Sequence, residues 1–142
     1  MLLKYYGFKI TFTQENPLLQ VGELYVLKIF TDQLSKLPEY FSENRKYPIK
    51  FPEKVTYNYD ITLNLPEGYT IHQVPNPFAL TNDLIKSSVQ VEHEGPIVRA
   101  RQMFIDKNML VALEEIPEFK AYWKEVNKAN RQTLMLQKQD GE

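Results

Sequence analysis

From Val55 to Leu65 the chain alternates strictly: Val55, Tyr57, Tyr59, Ile61, Leu63 and Leu65 are apolar, with Thr56, Asn58, Asp60, Thr62 and Asn64 between them. A period of two puts each set on one face of an extended chain, so the run predicts a half-buried strand. Pro66-Glu67-Gly68 then supplies turn chemistry before Tyr69 to Val74 extends again, which predicts a hairpin or tight reversal. Further on, Ile85, Val89 and Val91 alternate with Lys86, Ser88, Gln90 and Glu92, and Glu94-Gly95-Pro96 separates them from the β-like run Ile97 to Ile105. Antiparallel pairing of these two runs is expected. In the second run the apolar set moves from Val98 and Ala100 to Met103 and Ile105. A β-bulge near Arg101-Gln102 would explain the change of parity, and so would a strand partly covered on both faces.

Near the N-terminus Tyr6, Phe8, Ile10 and Phe12 alternate with polar or small neighbours, whereas Val21 to Phe30 is apolar on both parities, the pattern of a central strand covered on both faces. Pro38, Pro48 and Pro52 make Thr31 to Pro52 an irregular crossing segment, with Phe41, Tyr47 and Phe51 as candidate anchors. The late chain changes period: Phe119, Tyr122, Trp123 and Val126 follow the i, i+3, i+4, i+7 rule. Pro117 and Glu118 suit the start of a helix, and Lys128 and Arg131 its end. Leu134 and Leu136 suggest a short last strand, with Gln137 to Glu142 as a frayed tail.

These elements predict a mainly β protein, an antiparallel β-sandwich with one C-terminal α-helix, Pro117 to Asn130, packed on an edge or end. A small α+β sheet with the helix on one face is the alternative, and the helix position decides between them. The expected organisation is an N-terminal strand or arm over 1–20, a sandwich domain over 21–138 and a tail over 139–142.

Length and composition narrow the function classes. At 142 residues, one domain, or one domain plus an arm, is expected, and 43% apolar content suffices for a core without metal or disulfide. The 17 basic and 18 acidic residues give a formal charge of -1, so no general attraction to nucleic acid or anionic lipid is expected. With no cysteine, thiol catalysis, thiolate metal ligation and disulfides are excluded within these residues. No apolar run approaches a membrane span, and Met1-Leu2-Leu3-Lys4 leads into polar-interrupted sequence, not a signal-peptide core.

Candidate chemistry is sparse. His72 and His93 are the only histidines, the residue type suited to proton transfer near neutrality, and they fall at the ends of different strands. Glu92-His93-Glu94 has zinc-ligand side chains, but alternate strand residues face opposite ways. Ser35, Ser42, Ser87 and Ser88 lack an elbow or partner spacing, and Glu114-Glu115 reads more simply as helix-dipole complement. Arg99 and Arg101 share one strand face, and the five glycines form no phosphate loop. No catalytic residue, cofactor or metal site is therefore expected. A binding role remains an alternative, with a groove between helix and sheet contacting a ligand or peptide through Tyr5, Tyr40, Arg45, Tyr47 or Trp123.

The order of short motifs adds a resemblance. Gly22-Glu23-Leu24-Tyr25-Val26 is followed by Phe41, then Arg45-Lys46-Tyr47-Pro48-Ile49, the strand Tyr57 to Leu65, Leu65-Pro66-Glu67-Gly68-Tyr69 and Val74-Pro75. Ile116-Pro117, Phe119 to Val126 and Leu134-Met135-Leu136 close the series. It resembles the C-terminal domain of bacterial transglutaminase-like proteins, which follows a papain-like catalytic domain. The resemblance covers most of the chain from about Val21 and implies a β-sandwich without catalytic residues. It also implies a transglutaminase-like catalytic domain, or another protein, as partner, and usual export to the periplasm or exterior. The family's catalytic cysteine has no counterpart here, so no active-site residue carries over. The function expected is that of a non-catalytic accessory or structural module.

Overall fold

In a computed structural model, residues 18–30, 44–51, 56–108 and 110–140 are described. The N-terminal alternation at Tyr6 to Phe12, and Phe41 and Tyr40 of the crossing segment, lie outside them. The strands are β1 (Leu19–Val21), β2 (Leu24–Lys28), β3 (Ile49–Lys50), β4 (Thr56–Asn64), β5 (Tyr69–Gln73), β6 (Phe78–Thr81), β7 (Ile85–Glu94), β8 (Ile97–Asp106), β9 (Leu110–Val111) and β10 (Thr133–Lys138). A 3-10 turn at Leu113–Glu115 leads into the helix α1 (Ile116–Asn130). The molecule is mainly β, with antiparallel sheets and a single C-terminal helix among the described residues.

One four-stranded sheet has the order β4-β8-β7-β6 and the other β1-β2-β10-β5, with β3 and β9 forming a small separate ladder. β7 and β8 are the expected antiparallel pair, turning at Gly95, whose φ of 57° suits a residue without a Cβ. Pairing of β8 runs without a shift on both sides, so the bulge expected near Arg101-Gln102 is not there. The alternative accounts for the parity change. Val98, Ala100, Gln102, Phe104 and Asp106 all point inward and are buried, while Met103 and Ile105 are half-buried on the outer face. Gln102 and Asp106 are polar residues on the inward parity, which is what disguised a regular strand.

Three expectations need correction, the first only in part. Pro66 to Gly68 does form a tight turn, with the Tyr69 amide donating to the Pro66 carbonyl at 3.4 Å, but β4 and β5 belong to different sheets. The chain therefore crosses between layers there and makes no hairpin. Val21 to Phe30 is likewise not one central strand. It breaks at Gly22, φ 64°, into the β1–β2 hairpin, with Val21 opposite Leu24. At the far end β10 continues to Lys138, so Gln137 and Lys138 belong to a strand paired with β5 and not to a tail.

Two core clusters hold the layers together. One contains Ile49, Phe51, Ile85, Phe104, Phe119, Trp123 and Val126, and joins the helix and the β3–β9 ladder to one end of the β4-β8-β7-β6 sheet. The other contains Val89, Val91, Val98, Ala100, Ala129, Leu134 and Leu136, and joins the two four-stranded sheets. Leu134 and Leu136, both 0% exposed, sit between β2 and β5, and each buried leucine contributes about 1.5–3 kcal/mol. The helix thus closes one end of a sandwich-like arrangement. Phe119 and Trp123 face inward from it, with Phe51 6.0 Å from Phe119 and Phe104 edge-on to Trp123 at 5.2 Å.

Candidate functional site

Among the described residues, those singled out from the sequence do not gather. Trp123 is in the core and offers no surface to a ligand. Arg45 braces its own loop: Nε donates to the Tyr47 carbonyl at 2.9 Å and Nη2 to the Pro48 carbonyl at 3.2 Å. Tyr47, expected as an anchor of the crossing segment, is 76% exposed, whereas Phe51 does anchor it at 7%. Tyr5 and Tyr40 fall outside the described residues. Among the described residues, the space between helix and sheet is packed with Phe104, Phe119, Trp123 and Val126.

The titratable groups are dispersed as well. His72 is on β5 and His93 near the end of β7, on different sheets and both exposed. Glu92 and Glu94 flank His93 with opposite facing, and no group of three or more His, Cys, Asp or Glu side chains that could hold a metal ion occurs among the described residues. Glu115 accepts a bond from the Ala112 amide at 2.9 Å, which ties the turn before the helix. Tyr122 donates to Glu118 one helical turn earlier, and that bond raises its pKa, assisted by partial burial and the nearby carboxylates Glu118 and Asp83. Burial, then the neighbouring Tyr57 phenol, raises the pKa of Tyr59.

A groove of about 640 Å³ does exist, on the outer face of the β4-β8-β7-β6 sheet. Register explains it. Asn58, Met103, Ser88 and Ala79 form one row across the four strands, and Asp60, Arg101 and Gln90 form the next. The short side chains of Ser88 and Ala79 leave a depression below the longer ones. Arg101 Nε lies 3.7 Å from Asp60 Oδ2, both side chains about 70% exposed, a geometry worth at most about 1 kcal/mol. Gln90 Nε2 donates to Glu92 Oε1 at 2.7 Å. Asp60 and Arg101, the charged residues of the lining, offset one another, and the lining gathers no cluster of titratable groups among the described residues. The groove is a polar recess. Of its lining, Arg101 and Ser88 were considered in the sequence as candidate chemistry, but the row that assembles the groove depends on a cross-strand register that alternation alone does not reveal.

The other outer face differs. On the β1-β2-β10-β5 sheet, Leu19, Val26 and Met135 form a row, with Val21 and Leu24 beside it. Leu19 is 66% and Val21 57% exposed. The signal for this face was present in the sequence as apolarity on both parities of Val21 to Phe30.

Comparison with known proteins bears on most of the chain. A family model described as "Domain of Unknown Function with solved-structure structure (DUF3858)" matches residues 22–136. A solved structure described as a "putative protease" from Parabacteroides distasonis ATCC 8503 is similar in fold, with a TM-score of 0.63 at 10% sequence identity. The similarity covers 80% of this chain and 23% of that one, so the present chain spans less than a quarter of the length of that protein. No curated protein matches.

Proposed function

Because the chain belongs to the DUF3858 domain family, we propose that it is a non-catalytic accessory module of a transglutaminase-like protein, C-terminal to the catalytic domain and serving through its surface. The observation that carries this reading is the coverage: a fold shared over four-fifths of this chain occupies under a quarter of a longer protein described as a protease. A module of that kind leaves chemistry to the rest of the polypeptide. The ordered motifs from Gly22 to Leu136 support the transglutaminase-like association, and the missing cysteine supports the non-catalytic role. The dispersed histidines and the self-neutralised groove add to it.

The test is to purify the protein from its native host, under its own promoter, and determine its covalent context by intact mass and peptide mapping. A transglutaminase-like domain in the same polypeptide, N-terminal to these residues, is the expected result. A free 16.8-kDa chain without such a domain would contradict the proposal.

A further inference from the structure

The β4-β8-β7-β6 sheet ends on β4, and among the described residues no strand pairs with the other side of that strand. The other edges of the two four-stranded sheets carry familiar safeguards against an unwanted partner, brevity and neighbouring proline. β1 has three residues, β6 has four and follows Pro75 and Pro77, and β5 has five between Pro66 and Pro75. β4 has neither safeguard. It runs nine residues without proline, glycine or lysine, and pairs with β8 along its whole length with no bulge. Its one charged side chain, Asp60, stands on the outer face, 3.7 Å from Arg101 of β8. On the inner face Tyr57 and Tyr59 lie opposite the buried Phe104 and Gln102, yet Tyr57 is 38% exposed. The two tyrosine rings stack, 15° from parallel with centroids 6.3 Å apart. A long, regular edge beside an uncovered aromatic is what strand addition uses: the ladder supplies affinity and alternate side chains supply the fit.

We propose that this edge pairs antiparallel with the β4 edge of a second copy of the chain, about a two-fold axis through Tyr59, so that two sheets become one. The inference is independent of the accessory-module reading. What selects a second copy is that β4 is its own complement. Centred on Tyr59, the register sets Thr56, Tyr57 and Asn58 against Thr62, Ile61 and Asp60 of the partner subunit, and Tyr59 against its own counterpart. Thr–Thr, aromatic–β-branched and aromatic–aromatic pairs all stabilise antiparallel strands, and the Asn58 amide can donate to a carboxylate. Other centres fit less well. Centring on Asp60 would oppose two like carboxylates, and centring on Ile61 would leave Tyr57 with no residue opposite it. Directly opposed residues share a face, so the axis keeps the inner faces of both copies on one side. The pair closes on itself and leaves no open edge at that end of either sheet.

The experiment uses the full chain, which has no cysteine of its own. Thr56→Cys and Thr62→Cys are made separately; both positions are exposed and outward, so neither replacement disturbs the core. The register opposes position 56 of one copy to position 62 of the other. An equimolar mixture, mildly oxidised, should therefore give several-fold more disulfide-linked dimer than either variant alone. Light scattering on the parent should show a mass rising with concentration toward twice 16.8 kDa. Tyr57→Lys, which sets a charge in the ladder, should return it to the monomer with an unchanged far-ultraviolet circular dichroism spectrum. A parent that stays monomeric up to millimolar concentration would overturn the proposal, and protection of the β4 amides from hydrogen exchange in that monomer would give the edge to another segment of the same chain. A dimer that survives Tyr57→Lys, or that crosslinks no better in the mixture, would place the contact on another surface and overturn it too.

Discussion

Replacing Trp123 by alanine probes the contact on which the helix depends. The indole is 5% exposed and meets Phe104 edge-on with ring centroids 5.2 Å apart, inside a cluster that also holds Ile85, Phe119 and Val126. A buried aromatic of this size removes roughly 150–250 Å² from water. At about 25 cal/mol per Å² this is worth roughly 4–6 kcal/mol, an upper figure because the unfolded chain already hides part of that surface. The edge-on pair adds about 0.5–1.5 kcal/mol, and collapse of neighbouring side chains into the cavity recovers some of the loss. The expected cost is ~3–5 kcal/mol, a large share of the 5–15 kcal/mol of stability typical of a domain, with a fall in Tm of roughly 8–16 °C. Urea unfolding followed by far-ultraviolet circular dichroism measures it without relying on the indole that has been removed. Trp123→Phe, which keeps a ring against Phe104, should lose less. An unfolding free energy for Trp123→Ala within about 1 kcal/mol of the parent would refute the packing of the helix on this sheet.

Other substitutions test other parts of the structure. Ser87 is 2% exposed and its hydroxyl has no hydrogen-bond partner among the described residues, so Ser87→Ala should raise stability by up to about 1 kcal/mol in urea titration; a comparable loss would show that the hydroxyl is satisfied. Gly68 has φ 87° with nothing within 4 Å of an added Cβ, so Gly68→Val should cost about 1–2 kcal/mol through backbone strain alone, with Gly68→Asn tolerated better; equal stability of all three would mean the turn relaxes to negative φ. Tyr59 has a raised pKa in the folded state, so the folded form holds its proton more tightly. Its contribution is complete below the unfolded value near pH 10 and is lost as pH rises through the folded value. Tyr59→Phe should therefore flatten the alkaline fall in stability, and parallel parent and variant curves would exclude Tyr59 as a source of that fall.

The sequence disclosed those elements in which one face is wet and one dry. β4 kept its strict alternation because its outward residues meet solvent. The β7–β8 hairpin was legible from its turn, and the helix from its four-residue aromatic spacing. What alternation does not carry is partner identity. Pro66 to Gly68 reads the same whether the next strand pairs with β4 or crosses to the other sheet, because the turn fixes local φ and ψ and not the ladder that follows. The parity change in β8 misled for a different reason. Gln102 and Asp106 are buried polar residues on the inward face, and a hydrophobic pattern has no means of recognising them. The candidate contacts fared according to burial, which a single sequence does not resolve for aromatics: Trp123 and Tyr47 are both aromatic, yet one is core and the other surface. The β1–β2 face is the instructive case. Its apolar residues fall on both parities, yet Leu19 and Val21 are exposed.

The proposed function is that of a module contributing a surface and no reaction of its own. Its most direct test is to incubate the purified chain with a casein digest and with a glutamine-containing peptide, with and without a primary amine, and to follow hydrolysis, ammonia release and amide exchange by mass spectrometry. No turnover above buffer is predicted. Turnover that disappears when a single described polar side chain, such as Ser88, His72 or His93, is replaced by alanine would contradict it.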